Sequence, residues 1–251
     1  MAAIKSFFKV ILYKPLFNIL VFFIWAIPGH DVGTAIIILT VLIRILLLPS
    51  SANSIKAQKK LKDLQPEIDK IKEKYKDDQQ AQAKATMDFY QANKINPFSS
   101  CLPLLIQLPI LMVLYYVFQA GLSTDRFTEL LYGFTPRPEY VNTIFLGMNI
   151  SQPNIYLAIV TGLLQFWQSK QMTPSMPVNK DDKQNALQSA LGKQMLYVMP
   201  VLTVFIAMKL PAALPIYWSV TTLFMIVQQH ILLKNNKPDK KGITVSVKSK
   251  I

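Results

Sequence analysis

Five apolar runs, set apart by lysine-rich stretches, decide what this chain can fold into. They are Gly33 to Pro49, broken only by Arg44; Cys101 to Gln119; Ile155 to Trp167; Met195 to Met208; and Leu214 to Leu233. A backbone in hydrocarbon must satisfy every N–H and C=O internally, and a helix of roughly 20 apolar residues does so. The expectation is an all-α integral membrane fold with five transmembrane helices, at 33–50, 99–120, 153–169, 194–209 and 212–233. The third and fourth runs are short, so their helices must extend into polar flanks or the bilayer must thin around them. Composition agrees: 51% of the residues are hydrophobic and only 16% are charged.

The net charge of +13 would mark a nucleic-acid surface in a soluble protein. Here the lysines lie between and after the apolar runs, where positive charge holds loops on the cytoplasmic side. Residues 50–100 carry ten lysines, from Lys56 to Lys94, whereas the loop 120–153 has only Arg126 and Arg137. Lys170, Lys180, Lys183 and Lys193 fill the next loop, and Lys234 begins the basic tail 234–251. The alternation fits five spans, with an N-terminus outside and a cytoplasmic C-terminus. Lys209, alone in the turn before Pro215, is a small exception.

Residues 12–28 are apolar, with Lys14 and Asn18 one turn apart on a helix face. They suit either a sixth span or an interfacial helix on the outer surface; loop charge does not decide between them. Gly29 and Gly33 form a GxxxG pair at a polar junction, read as a turn and not a dimer face. In 52–97 the stripe Leu61, Leu64, Ile68, Ile71 and Tyr75 has helical period, and Ala81, Ala85, Phe89 and Tyr90 mark a second helix after Asp77-Asp78. An antiparallel cytoplasmic hairpin is expected, with Pro66 kinking the first helix or starting its second half.

Catalysis is not expected. The histidines are His30 and His230, no metal-ligand spacing or phosphate loop is present, and the one cysteine, Cys101, reads as a small buried hydrophobe. No cofactor is called for. Arg44 is the informative residue. A central arginine costs roughly 2.5–3.5 kcal/mol on insertion, which the surrounding Ile, Leu and Val outweigh. It either snorkels to the cytoplasmic end, roughly 8 Å away, or lines something polar. Gln107, Gln165 and Gln228 stand in the same half of their runs, while the outer halves are nearly pure hydrocarbon. Gathered around Arg44, they would line a hydrophilic groove open to the cytoplasm and closed outward. The rival reading is a small-anion transporter or channel with Arg44 as its binding charge.

The ordered set Leu39 to Arg44 with Leu48-Pro49, Leu64-Gln65-Pro66-Glu67-Ile68, Asn96-Pro97, Cys101 to Pro109, Met199-Pro200, Leu214-Pro215, Tyr217-Trp218 and Gln228-Gln229 resembles the YidC family of membrane protein insertases, from Tyr13 to about Leu233. The resemblance implies five spans around a groove open to cytoplasm and lipid, an outer interfacial helix at 12–28, and insertase and chaperone activity toward nascent membrane-protein substrates. Arg44 matches the family's groove arginine, Trp218 its aromatic groove residue, and Gln165 a groove position in the third span. The resemblance also implies a bacterial cytoplasmic membrane, a tail that meets the ribosome, action as a monomer, and the Sec translocon and signal-recognition-particle receptor as further partners; the tail's charge alone suits anionic lipids at the inner surface equally well. It is to the short, single-membrane type, without the leading span and large outer domain of two-membrane members; the first hundred residues hold no cysteine for a lipoprotein signal.

Overall fold

A computed structural model of the chain describes residues 9–93, 96, 102–122, 124, 125, 127–172 and 194–235. Cys101, the Asn96-Pro97 junction beyond Asn96, the lysines of 173–193 and the basic tail beyond Asn235 lie outside the described residues.

The described chain is mostly helical. Helix α1 is Lys14–Ala26, entered through a π-helical turn at Lys9–Tyr13; α2 is Val32–Leu46; α3, Leu48–Lys74, and α4, Gln79–Ala92, form the hairpin. Then follow α5, Leu102–Gly121; the short α6, Phe127–Leu130; strands β1, Ile144–Phe145, and β2, Met148–Asn149; α7, Ile155–Met172; α8, Met199–Ala207, entered through a π-helical turn at Gln194–Val198; and α9, Ala213–Asn235. One helix, Ala213–Lys234, passes on length and hydropathy alone as a membrane span, and α2 with α3 passes only as a pair bent by 66°. That bend is a difference from the expected 33–50 span. Leu47 ends α2, and Pro49 stands in the first turn of α3, where its missing N–H costs nothing.

Leu39, Leu114, Val117 and Tyr217 carry the core between α2, α5 and α9, and α1 closes it with Phe17, Leu20, Val21 and Ile24. Loop 130–154 caps the same end of the bundle. Val32 N–H donates to the Asn142 carbonyl (3.0 Å), Ala212 N–H to Gln152 (2.9 Å) and Ala213 N–H to Ile150 (3.1 Å). Buried Asn18 pins this loop: its amide donates to the Leu130 carbonyl (3.0 Å), and its oxygen accepts from Tyr132 N–H and Thr135 Oγ1 (both 2.7 Å). Gly29, at φ 77°, makes the expected turn. Gly33 instead lets Phe145 lie directly on α2, where a Cβ would stand 2.3 Å from the Phe145 ring.

The hairpin packs as its stripe predicts, with Leu64, Ile68, Ile71 and Phe89 buried together. Asp78 caps α4, accepting from Gln80 and Ala81 N–H (both 3.0 Å). Helix α3 continues through Pro66, which does not begin a separate helix. Pro66 is solvent-exposed, so the Lys62 carbonyl it leaves unpaired can be met by water. Burial holds the Lys72 ammonium below the usual lysine range, partly offset by Asp69. Hydrogen bonds tie the hairpin to the bundle: Ser51 Oγ donates to Gln228 Oε1 (2.9 Å), Gln228 Nε2 to the Leu48 carbonyl (3.5 Å) and Lys62 Nζ to the Gln171 carbonyl (3.2 Å).

Around the waist, Leu46, Met112, Leu163, Val201, Phe205 and Val227 are exposed. A soluble monomer rarely shows an apolar belt of this extent.

Candidate functional site

Arg44 sits in the last turn of α2, where the helix's exposed carbonyls favour a cation. Its side chain is turned inward, leaving the residue 8% exposed, instead of snorkelling along the surface. The guanidinium Nη2 donates to Gln107 Oε1 of α5 at 2.9 Å. Gln107 Nε2 donates in turn to the Tyr217 hydroxyl of α9 at 2.7 Å. That hydroxyl also faces the guanidinium. The Tyr217 ring is held edge-on against Phe118, 6.1 Å between centroids. One relay thus joins three helices, and it orients the Gln107 amide: the oxygen must face the cation, so the NH2 faces the phenol.

The polar partners of Arg44 among the described residues are the neutral Gln107 and Tyr217. Among the described residues no carboxylate pairs with it. A guanidinium has five N–H donors, more than one amide and one phenol can accept. The cluster therefore keeps positive charge and spare donor capacity.

Of the expected site residues, the structure brings Arg44 and Gln107 into direct contact. Gln228 lies at the hairpin root, bonded to Ser51. Gln165 on α7 is half-buried, and its Oε1 is buried without a hydrogen-bond partner. Trp218 is half-buried, and its neighbour Tyr217 takes the place beside Arg44. Sequence reasoning missed Tyr217, yet a signal existed. At about 100° per residue, Tyr217, Thr221 and Gln228 fall within about 40° of one another on α9, whereas Trp218 lies about 100° away.

Polar groups also join α7 to α9. Thr161 and Ser219 share a hydrogen bond at 2.8 Å near the capped end. Toward the hairpin end Gln165 Oε1, Gln171 Oε1, Thr221 Oγ1 and Gln229 Oε1 are buried without protein partners. A buried acceptor left unmet costs about 1–3 kcal/mol, so these atoms suit a wetted surface and not a dry seam. Among the described residues no group of His, Cys, Asp or Glu is placed to hold a metal.

The sequence relationships decide the family. Residues 23–240 match the model of the 60Kd inner membrane protein family. The chain belongs to that family. It is 34% identical over 204 residues to the membrane protein insertase YidC of Fusobacterium nucleatum, covering 80% of this chain and 86% of the relative. It is 34% identical over 232 residues to the membrane protein insertase MisCA of Bacillus subtilis, covering 89% of this chain and 80% of that protein. A YidC insertase of Geobacter metallireducens is 32% identical over 227 residues; the match takes in 89% of this chain but 37% of that protein. The 60Kd inner membrane protein match takes in α2 to α9, and with them Arg44, Gln107 and Tyr217.

Proposed function

We infer that the chain is a membrane protein insertase whose working centre is the Arg44–Gln107–Tyr217 cluster. The observation that carries the centre is a buried arginine whose partners among the described residues are neutral groups. In the proposed mechanism, the polar segment of an incoming membrane protein enters from the hairpin end. Arg44 meets its carboxylates, and the orphaned acceptors of α7 and α9 meet its N–H groups, so bulk hydration is replaced in steps. The apolar segment then moves into lipid, driven by hydrophobic transfer.

This reading takes α2, α5, α7, α8 with its π-helical turn, and α9 as five spans, the capped end outside and the hairpin and C-terminus cytoplasmic. Helix α1, of 13 residues, lies along the outer interface. Helix α8 with its turn covers 14 residues, roughly 21 Å against the roughly 30 Å of hydrocarbon, which calls for local thinning. The proposed partners are nascent substrates, the ribosome through the tail, anionic lipids, and the Sec translocon and signal-recognition-particle receptor. Small-anion transport is not favoured: the relatives are named insertases. Purified protein in liposomes tests the proposal. Insertion of a short one-span substrate, with no flux of small anions, is the expected outcome; flux without insertion would reverse it.

A further inference from the structure

The cap at the α1 end displays its most exposed apolar side chains at two tips. Phe134 is 84% exposed and Leu146 81% exposed. These are not loose ends. Tyr132, stacked on Phe134 at 5.3 Å, is fixed by its N–H to Asn18. Leu146 tips the β1–β2 hairpin, whose Phe145 is seated on Gly33.

The turn at Leu146 carries a second sign. Leu146 and Gly147 have φ of 50° and 77°, the paired positive values of a two-residue hairpin turn that favours Asn-Gly. A leucine at positive φ is strained. Holding it there, pointed outward, makes sense where the tip itself is used.

What surrounds Phe134 indicates the medium. Lys14 Nζ stands 5.4 Å over the Tyr132 ring, so Lys14, Tyr132 and Phe134 form one cation-and-aromatic stack. Along α1, Phe22 and Trp25 fall within about 80° of Lys14; both are exposed, and their rings lie 6.1 Å apart. A lysine beside aromatic rings, continuous with an exposed aromatic helix face, is the chemistry of a bilayer interface: rings settle at headgroup level while the ammonium reaches phosphate.

We propose that Phe134 and Leu146 are two anchors that seat the cap in the outer leaflet's headgroup boundary. They fix the depth of the bundle. Arg44 lies twelve residues along α2 from Val32, roughly 18 Å below the cap, so anchoring the cap sets the level of the charge in the membrane. The proposal rests on the membrane-spanning reading above, and the test separates the two.

Single-cysteine variants F134C, L146C, L163C and E139C, in a C101S background, are spin-labelled in liposomes. Collision with oxygen, which concentrates in lipid, is compared with collision with a water-soluble nickel chelate. The expected oxygen-to-nickel ratio at 134 and 146 is several-fold above that at 139 and approaches that at 163, the waist control. Either tip matching position 139 while 163 reads as lipid overturns the anchors and leaves the membrane reading standing. Position 163 reading as water would overturn both. Because a label alters the tip, L146N provides an independent check. It should raise the melting temperature in detergent by relieving the turn, yet lower insertion in liposomes. Unchanged insertion in L146N would count against the anchor.

Discussion

Arg44 Nη2 and Gln107 Oε1 meet at 2.9 Å, and this pairing of a full charge with a neutral amide separates the site from a structural ion pair. A carboxylate partner would have neutralised the guanidinium and left nothing for a substrate. An amide satisfies one donor, holds the side chain still, and passes the polarisation to Tyr217. In the proposed mechanism this arrangement would be preorganised for an anionic visitor.

Arg44→Ala should therefore reduce insertion of substrates with acidic translocated segments by about tenfold or more, as expected when a charge-assisted contact of roughly 1.5–3 kcal/mol is lost. Substrates with uncharged segments should lose less. Arg44→Lys retains charge without the fork of donors and should fall between. Tyr217→Phe should mimic a mild form of Arg44→Ala, because Gln107 loses its acceptor. Protease protection of inserted substrate in liposomes measures all three variants with both substrate classes. Equal loss for acidic and neutral substrates would make Arg44 a structural residue.

A wetted α7–α9 surface, as proposed, would show in thiol reactivity. In a Cys101→Ser background, cysteines at Gln107 and Gln165 should react with a membrane-impermeant reagent added from the hairpin side. Cysteines at Leu111 and Ile159, nearer the cap, should not. Equal protection at all four positions would describe a dry bundle, with the orphaned oxygens of α7 and α9 simply strained.

The hairpin and the tail should separate by function. Phe89→Ala empties the centre of the α3–α4 contact, at a cost of about 3–5 kcal/mol. It should speed amide exchange in the hairpin and lower insertion without weakening ribosome association. Removing residues 235–251, whose five lysines face only Asp239, should weaken salt-sensitive co-sedimentation with empty ribosomes. A tail deletion with unchanged ribosome binding would leave the tail as a contact for anionic lipid.

The hairpin was legible because its information is local: Leu61, Leu64, Ile68, Ile71 and Tyr75 repeat at helical spacing, and the structure buries that stripe against Phe89. The approach of Gln107 to Arg44 was legible from depth along the runs. Tyr217 was not, since Tyr217 and Trp218 are adjacent aromatics and composition cannot choose between directions about 100° apart. The cap was not legible either. Asn18 bonds to groups more than a hundred residues away, and no periodicity encodes such a contact. The bend at Leu47 had a signal in Pro49, but proline in a first turn and proline at the end of a span look alike in sequence.

Two glycines give the sharpest packing test, because their neighbours differ in how far they can yield. At Gly162 on α7, an added Cβ would stand 2.3 Å from Val204 Cγ2 of α8, with the Pro200 carbonyl next at 3.2 Å and Val204 Cβ at 3.8 Å. At Gly33 it would meet the Phe145 ring at 2.3 Å and the Phe145 Cβ itself at 2.6 Å. Each alanine should destabilise by about 1–3 kcal/mol through overpacking. Val204→Ala removes the clashing methyl and should restore most of the Gly162→Ala loss. Phe145→Ala leaves its Cβ in place and should not rescue Gly33→Ala. Thermal unfolding of the four single and two double variants in one detergent reads this out. Rescue in both pairs, or in neither, would mean that the helices and the cap shift freely instead of being locked at these glycines.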